Sequence, residues 1–157
     1  MKKLSQWLCF FCTLLYIPFT LSASLTLEIK GFKKHLGQLN IAVSRVTDQL
    51  HDNLLWEDLT PIRKVTTNIN STQTELDLVE LLLEDLPEGM TCIRLYLDLN
   101  NNQILERSAT GLPLEPVGFS NNPSLFKGEP SPQDSCFLLQ QTSNVQVIKL
   151  KHNKKRN

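Results

Sequence analysis

The 157-residue chain lacks the short sequence motifs that mark the common classes of enzyme. It contains no Gly-x-Ser-x-Gly nucleophile elbow, no paired-histidine zinc motif, no phosphate-binding loop and no dinucleotide-binding fingerprint. Histidine occurs only as His35, His51 and His152, which lie in predicted turns or the tail, far in sequence from any convincing nucleophile. We therefore expect a non-catalytic protein. The enzymatic alternative is a small hydrolase using the loop carboxylates Glu106 and Glu115, because two acids ~5–10 Å apart across a sugar cleft hydrolyse glycosides.

Basic residues are scarce in the body of the chain. Sixteen Lys and Arg balance sixteen Asp and Glu overall, but two of the basic residues stand at positions 2 and 3, and five stand between positions 149 and 156. The rest has nine basic and sixteen acidic side chains, a net charge of minus seven. A surface of that sign repels phosphate backbones, which argues against nucleic acid as a partner. The basic end, residues 151–157, is predicted to be a disordered, solvated tail.

Long apolar runs are missing outside the N-terminal segment. There, two lysines precede a mostly apolar stretch over residues 4–19, which Pro18 interrupts and which is shorter than the ~20 residues of a membrane-spanning helix. Small residues follow, with Ala23 as the predicted cleavage point, so we interpret residues 1–23 as a signal peptide. We expect an exported protein, periplasmic or secreted, with no stable membrane span after cleavage.

Cysteine is also sparse once the leader is removed. Cys9 and Cys12 lie within the leader, which leaves Cys92 and Cys136 in the mature chain. Disulfides persist in exported proteins, so we predict that these two residues form one. The alternative is a pair of buried thiols on separate strands. No long linker, internal repeat or second composition zone is present, and residues 24–150 are predicted to form a single domain.

Alternation of apolar and polar residues predicts strands along most of this domain. Residues 76–86 fit either a helix or a strand, and the turn Leu86-Pro87-Glu88-Gly89 closes that segment. Many short strands with Gly and Pro between them indicate an all-β, antiparallel β-sandwich of about seven strands. The segments with the plainest alternation or β-rich composition are residues 25–29, 39–43, 65–69, 91–97, 136–139 and 145–150.

The loop after the strand at 91–97 carries regularly spaced oxygen-bearing side chains. Oxygen ligands at such spacing suit a hard cation, so calcium is one hypothesis for this loop. The alternative is a turn in which Asp and Asn side chains hydrogen-bond their own backbone, and on that interpretation the protein needs no cofactor. The candidate calcium ligands are Asp98, Asn100, Asn102 and Glu106.

The loop at residues 111–122 admits a structural and a functional interpretation. Structurally, Pro113 and Pro116 stiffen it, Gly118 allows a positive φ, and Phe119 packs onto the sandwich. Functionally, this loop and the Asp98 loop would form a groove for a protein, a glycan or a surface component, because binding residues often lie on loops held by rigid strands. The candidate binding residues are Glu115, Phe119, Ser120, Asn121 and Asn122.

The order of these motifs resembles the DUF2141 family of exported bacterial proteins, and the resemblance covers nearly the whole mature chain. It implies a transthyretin-like or immunoglobulin-like sandwich of unassigned function, and it favours a strand for residues 76–86. The motifs that carry it are Leu86-Pro87-Glu88-Gly89, then Asp98, Asn100 and Asn102, then Gly111, Pro113, Glu115, Gly118, Phe119, Ser120, Asn121 and Asn122.

Overall fold

The computed structural model describes residues 22–47 and 54–152, and these residues form eight strands in two sheets. The predicted all-β fold is confirmed. A 3-10 turn spans Trp56–Asp58, and two short helices are present, α1 (Ser71–Leu76) and α2 (Pro132–Ser135). The strands are β1 (Ser22–Lys30), β2 (Gly37–Arg45), β3 (Pro61–Ile69), β4 (Val79–Pro87), β5 (Gly89–Asp98), β6 (Val117–Phe119), β7 (Cys136–Leu139) and β8 (Asn144–Lys149).

Most of the strand pairs are antiparallel, as the sequence predicts. The three-stranded sheet has the order β4-β1-β8, and the five-stranded sheet has the order β3-β2-β5-β6, with β7 also pairing with β5. The exception among the described strands is the β1–β8 pair, which is parallel. A parallel pair needs a long crossover connection, and here nearly the whole domain separates the two strands.

The core lies between the two sheets and is built from the alternating residues that the sequence singles out. Successive side chains of a strand point to opposite faces, so one face of each strand can be wholly apolar. On β1, β2 and β5 this face is fully buried, with Leu25, Leu27, Ile29, Leu39, Val43, Ile93, Leu95 and Leu97 at 0% exposure.

A second apolar cluster covers the outer face of the five-stranded sheet. Trp56 lies there, its ring 5.5 Å from the ring of Phe119, and its Nε1 donates to the Pro130 carbonyl at 2.8 Å. Cys92 and Cys136 face each other across β5 and β7 in the same cluster and form a disulfide. The predicted disulfide is therefore present, and it ties the segment after residue 130 to the central strand β5.

The ambiguous segment at residues 76–86 is a strand from Val79 onward, as the family resemblance implies. The short helix α1 comes before it and was not predicted. Asn70 begins this helix by accepting a hydrogen bond from the Gln73 N–H at 2.9 Å, while Gln73 Oε1 accepts from the Asn70 N–H at 3.0 Å. Asp77 ends it with a left-handed backbone at φ 48°.

Strand β6 lies within the segment that the sequence predicts as a loop, so the fold has one strand more than expected. The prediction of a positive φ at Gly118 is wrong, since positive φ occurs instead at Asn121 (63°) and Asn122 (50°). Close packing explains the glycine. A Cβ at Gly118 would lie 2.8 Å from side-chain atoms of both Leu95 and Ile148, closer than carbon atoms pack.

The predicted N-terminal leader and C-terminal tail lie mostly outside the described residues. Ser22 and Ala23 begin β1, and cleavage after Ala23 stays a prediction. At the other end, Lys151 exchanges two backbone hydrogen bonds with Val117, at 2.8 and 3.1 Å, and His152 follows it. No helix in the described ranges is long and apolar enough to cross a membrane.

Candidate functional site

The carboxylate of Asp98 organises the loop that follows β5. Asp98 is fully buried at the end of that strand. Its Oδ1 accepts backbone N–H bonds from Asn100 and Asn102, at 3.2 and 3.3 Å, and its Oδ2 accepts one from Gln103 at 2.6 Å. Three donors therefore converge on one acid, which is the backbone-satisfying arrangement expected of a turn.

The other candidate calcium ligands lie beside Asp98 and bond mainly to one another. The Nδ2 groups of Asn100 and Asn102 both donate to Glu106 Oε1, at 2.6 and 2.9 Å. Their Oδ1 atoms accept the backbone N–H groups of Asn102 and Ile104. Within residues 22–47 and 54–152, no group of three or more His, Cys, Asp or Glu residues is placed to hold a metal ion. Calcium binding stays one of the two hypotheses for this loop, beside the structural turn.

Glu115 joins the Asp98 loop to the segment that returns to β6. Its side chain is nearly buried, at 3% exposure. Its Oε1 accepts the Leu99 N–H at 2.9 Å and its Oε2 accepts the Glu106 N–H at 3.4 Å. Burial raises the pKa of the Glu115 carboxyl, the two hydrogen bonds oppose that rise, and the charges of Asp98 and Glu106 add to it. Glu115 thus favours folding most below its unfolded pKa, and this contribution is lost as the pH rises through its folded pKa.

Glu115 also lines a cleft of about 570 Å³. The sequence predicts a groove between the Asp98 loop and residues 111–122. The cleft lies between residues 112–117 and residues 124–129, with the end of the described chain at its edge. Ligand binding between the Asp98 loop and residues 111–122 stays a prediction. Apolar side chains make up most of its walls, and its lining residues are Leu112, Pro113, Glu115, Val117, Ser124, Leu125, Phe126, Gly128, Glu129, Lys151 and His152.

An exposed aromatic residue stands at this cleft, and sequence reasoning missed it. Phe126 is 95% exposed, whereas Trp56, the most prominent aromatic residue in sequence, is buried and Tyr96 is half-buried. The signal in the sequence is weak, since Phe126 is a single aromatic residue among Ser, Lys and Gly. Only the structure shows that, among the described residues, its ring is left almost wholly exposed.

Most polar side chains of the cleft are already bonded within the protein. Glu129 forms ion pairs with Arg94 at 3.3 Å and with Arg107 at 2.5 Å. Lys151 Nζ donates to the Asn122 carbonyl at 3.1 Å and to the Pro123 carbonyl. The cleft therefore presents a mainly apolar surface whose charged side chains are already ion-paired or hydrogen-bonded.

The other predicted binding residues have roles inside the fold. Phe119 is buried, and the buried Ser120 hydroxyl accepts the Ile93 N–H at 2.9 Å. Asn121 Nδ2 donates to the Cys136 carbonyl at 2.8 Å. The Asn122 amide bonds along the edge of β8, with Nδ2 donating to the Val147 carbonyl and Oδ1 accepting the Lys149 N–H. Of the five candidates, only Glu115 lines the cleft, and ligand binding by the others stays a prediction.

Comparison with known families supports the resemblance drawn from the motifs. The family described as an uncharacterized protein conserved in bacteria (DUF2141) matches residues 27–147, which is most of the chain. No curated protein and no solved structure matches this chain. The match includes every strand from β2 to β7 and both loops described above. The chain therefore belongs to the DUF2141 family.

Proposed function

We propose that this chain is an exported, non-catalytic binding module that holds an apolar segment of a partner protein in the cleft beside Phe126. The observation that carries the proposal is the exposure of Phe126, 95%, next to an apolar cleft of about 570 Å³. A large aromatic side chain left in water at a concave apolar surface is typical of an interaction site. Buried aromatic anchors supply much of the binding energy at protein interfaces.

The polar side chains of the cleft are already bonded within the protein, which favours a protein segment over a glycan as the ligand. A sugar needs free donors and acceptors, and a group left unpaired on either side weakens binding. Glu129 is held by two arginines, Lys151 by two carbonyls and Glu115 by two backbone N–H groups. An apolar peptide side chain needs none of these groups, so it can enter the cleft without breaking them.

The disulfide and the body charge support export and a protein partner. Disulfides form and persist in oxidising compartments, and the Cys92–Cys136 bridge suits a periplasmic or secreted protein. The acidic body repels phosphate backbones, which argues against nucleic acid as a partner. No cofactor is needed for binding of this kind.

Selection from a random peptide library, displayed on phage and panned against the purified protein, tests this function. We expect enriched peptides with an apolar anchor, and at least tenfold weaker binding to Phe126→Ser, since losing an aromatic anchor costs about 2 kcal/mol or more. Leu82→Ser is the matched control, because Leu82 is 60% exposed on β4 and does not line the cleft. Failure to enrich any peptide, or equal loss in both variants, would contradict the proposal.

A small hydrolase is the second candidate, and one observation favours it. Glu115, whose carboxyl pKa is raised by burial, shares the cleft with Glu129, and a raised pKa is typical of a carboxyl that acts as a general acid. Glu106, the predicted partner of Glu115, does not line the cleft. We expect no turnover of a panel of chromogenic aryl glycosides. Turnover that Glu115→Gln abolishes and Leu82→Ser retains would replace the binding module with this enzyme.

A further inference from the structure

Two histidines that are 117 positions apart in sequence meet at the turn between β1 and β2. The ring centres of His35 and His152 are 5.1 Å apart and their planes are inclined by 38°. We infer that His35 and His152 together form a binding site for a divalent transition-metal ion such as zinc, with water completing its coordination. His152 also lines the edge of the cleft, but the apolar contact proposed there depends on Phe126 and not on the two imidazoles, so the two proposals can fail independently.

The hydrogen bonds of the two rings determine which nitrogens can bind the metal. His35 Nδ1 lies 3.0 Å from the Phe32 carbonyl, and His152 Nε2 lies 2.6 Å from the Gly31 carbonyl. A carbonyl only accepts, so in the neutral rings these two nitrogens carry the protons. The lone pairs are then on His35 Nε2 and His152 Nδ1, which form no hydrogen bond with any other described residue.

This arrangement is the one that metal-binding histidines commonly have. A ligating imidazole usually donates its other N–H to a backbone carbonyl or a carboxylate, which sets the tautomer and orients the ring. Both histidines have such a carbonyl partner, supplied by the adjacent residues Gly31 and Phe32. That stretch of backbone is itself held, because Asp77 Oδ1 accepts the N–H groups of Gly31 and Phe32 at 2.9 and 2.6 Å.

The spacing of the rings is compatible with a shared ion. Two imidazoles bound tetrahedrally through nitrogen, each ~2.0 Å from zinc, have ring centres ~5 Å apart. The observed 5.1 Å matches that spacing. The described residues contain no group of three or more His, Cys, Asp or Glu residues placed to hold a metal ion. The proposed site has only two protein ligands, so it does not conflict with that observation. Imidazole suits zinc, copper and nickel better than calcium or magnesium, which prefer oxygen.

The Asp77 carboxylate faces the same turn and offsets the charge of a bound cation. Because a metal competes with protons for the same lone pairs, zinc binding should weaken as the pH falls.

Zinc titration by calorimetry at neutral pH tests the site, with the full chain and three single variants. We expect one zinc ion per chain, at least tenfold weaker binding to His35→Gln and to His152→Gln, and unchanged binding to His51→Gln. His51 is the matched control because the chain has three histidines and this one lies outside the described residues. Equal zinc binding by all four proteins, or a loss confined to one of the two site variants, would overturn the proposal.

Imidazole nitrogen chemical shifts provide a second readout that a mere ring contact would not change. In the wild type, zinc should shift the 15N resonances of His35 Nε2 and His152 Nδ1 more than those of the other two nitrogens. Rings that are only in aromatic contact would show no such selectivity. Shifts confined to His51 would also overturn the proposal.

Discussion

Reduction of the Cys92–Cys136 disulfide is expected to lower the free energy of unfolding by about 4 kcal/mol. The two cysteines are 44 positions apart, so the bridge closes a long loop and removes many conformations from the unfolded chain. In the folded protein the bridge joins β5 to β7 inside the outer cluster with Trp56 and Phe119. Its loss should therefore loosen the segment that contains the cleft as well as the domain as a whole.

Urea denaturation with and without a reducing agent measures this effect. The double variant Cys92→Ala, Cys136→Ala is the control, since it should unfold near the midpoint of the reduced wild type and be unaffected by reductant. Identical unfolding midpoints for oxidised and reduced wild type would show that the bridge adds nothing to stability. A midpoint of the double variant that shifts with reductant would point to another reducible group.

Asp98→Ala is expected to destabilise the protein by about 3 kcal/mol. The substitution removes the acceptor of three backbone N–H bonds at a fully buried position. Asn102 keeps its second acceptor, Asn100 Oδ1, whereas the N–H groups of Asn100 and Gln103 lose the acceptor that Asp98 supplies. Sequence alone implies about 1 kcal/mol, the usual cost of a lost turn or cap bond. The difference comes from the burial of the Asp98 carboxylate and from the number of bonds it accepts, because hydrogen bonds to a charged, buried acceptor contribute more than a single exposed turn bond.

Thermal melts of wild type, Asp98→Ala and the exposed control Glu80→Ala test this prediction. The control should stay within about 0.5 kcal/mol of wild type. Repeating the melts in excess chelator and in millimolar calcium separates the turn from the metal hypothesis. At a hundredfold excess over the dissociation constant, a bound ion would add about 2.7 kcal/mol. We expect calcium to leave the stability of the wild type unchanged. A stabilisation by calcium that Asp98→Ala abolishes would instead show that the loop is a metal site.

The strands and the core could be predicted because their signals are local. Alternation in residues 25–29, 39–43 and 91–97 identifies both the strands and their buried faces. The disulfide followed from elimination, once the leader cysteines were set aside. Strand β6 could not be predicted, because only three residues pair there and the glycine in their centre is unfavourable in isolation. Its pairing depends on β5, some 20 residues earlier in the sequence.

By itself, the sequence determined the all-β class, the family and the loop that follows β5, since all three depend on residue types at short spacing. Only the tertiary structure decided what those residues touch. It shows a cleft between residues 112–117 and residues 124–129, an exposed Phe126 and a contact between the rings of His35 and His152. The reason is physical: a cleft or a histidine pair depends on how distant segments pack together, and short-range periodicity carries no information about that packing.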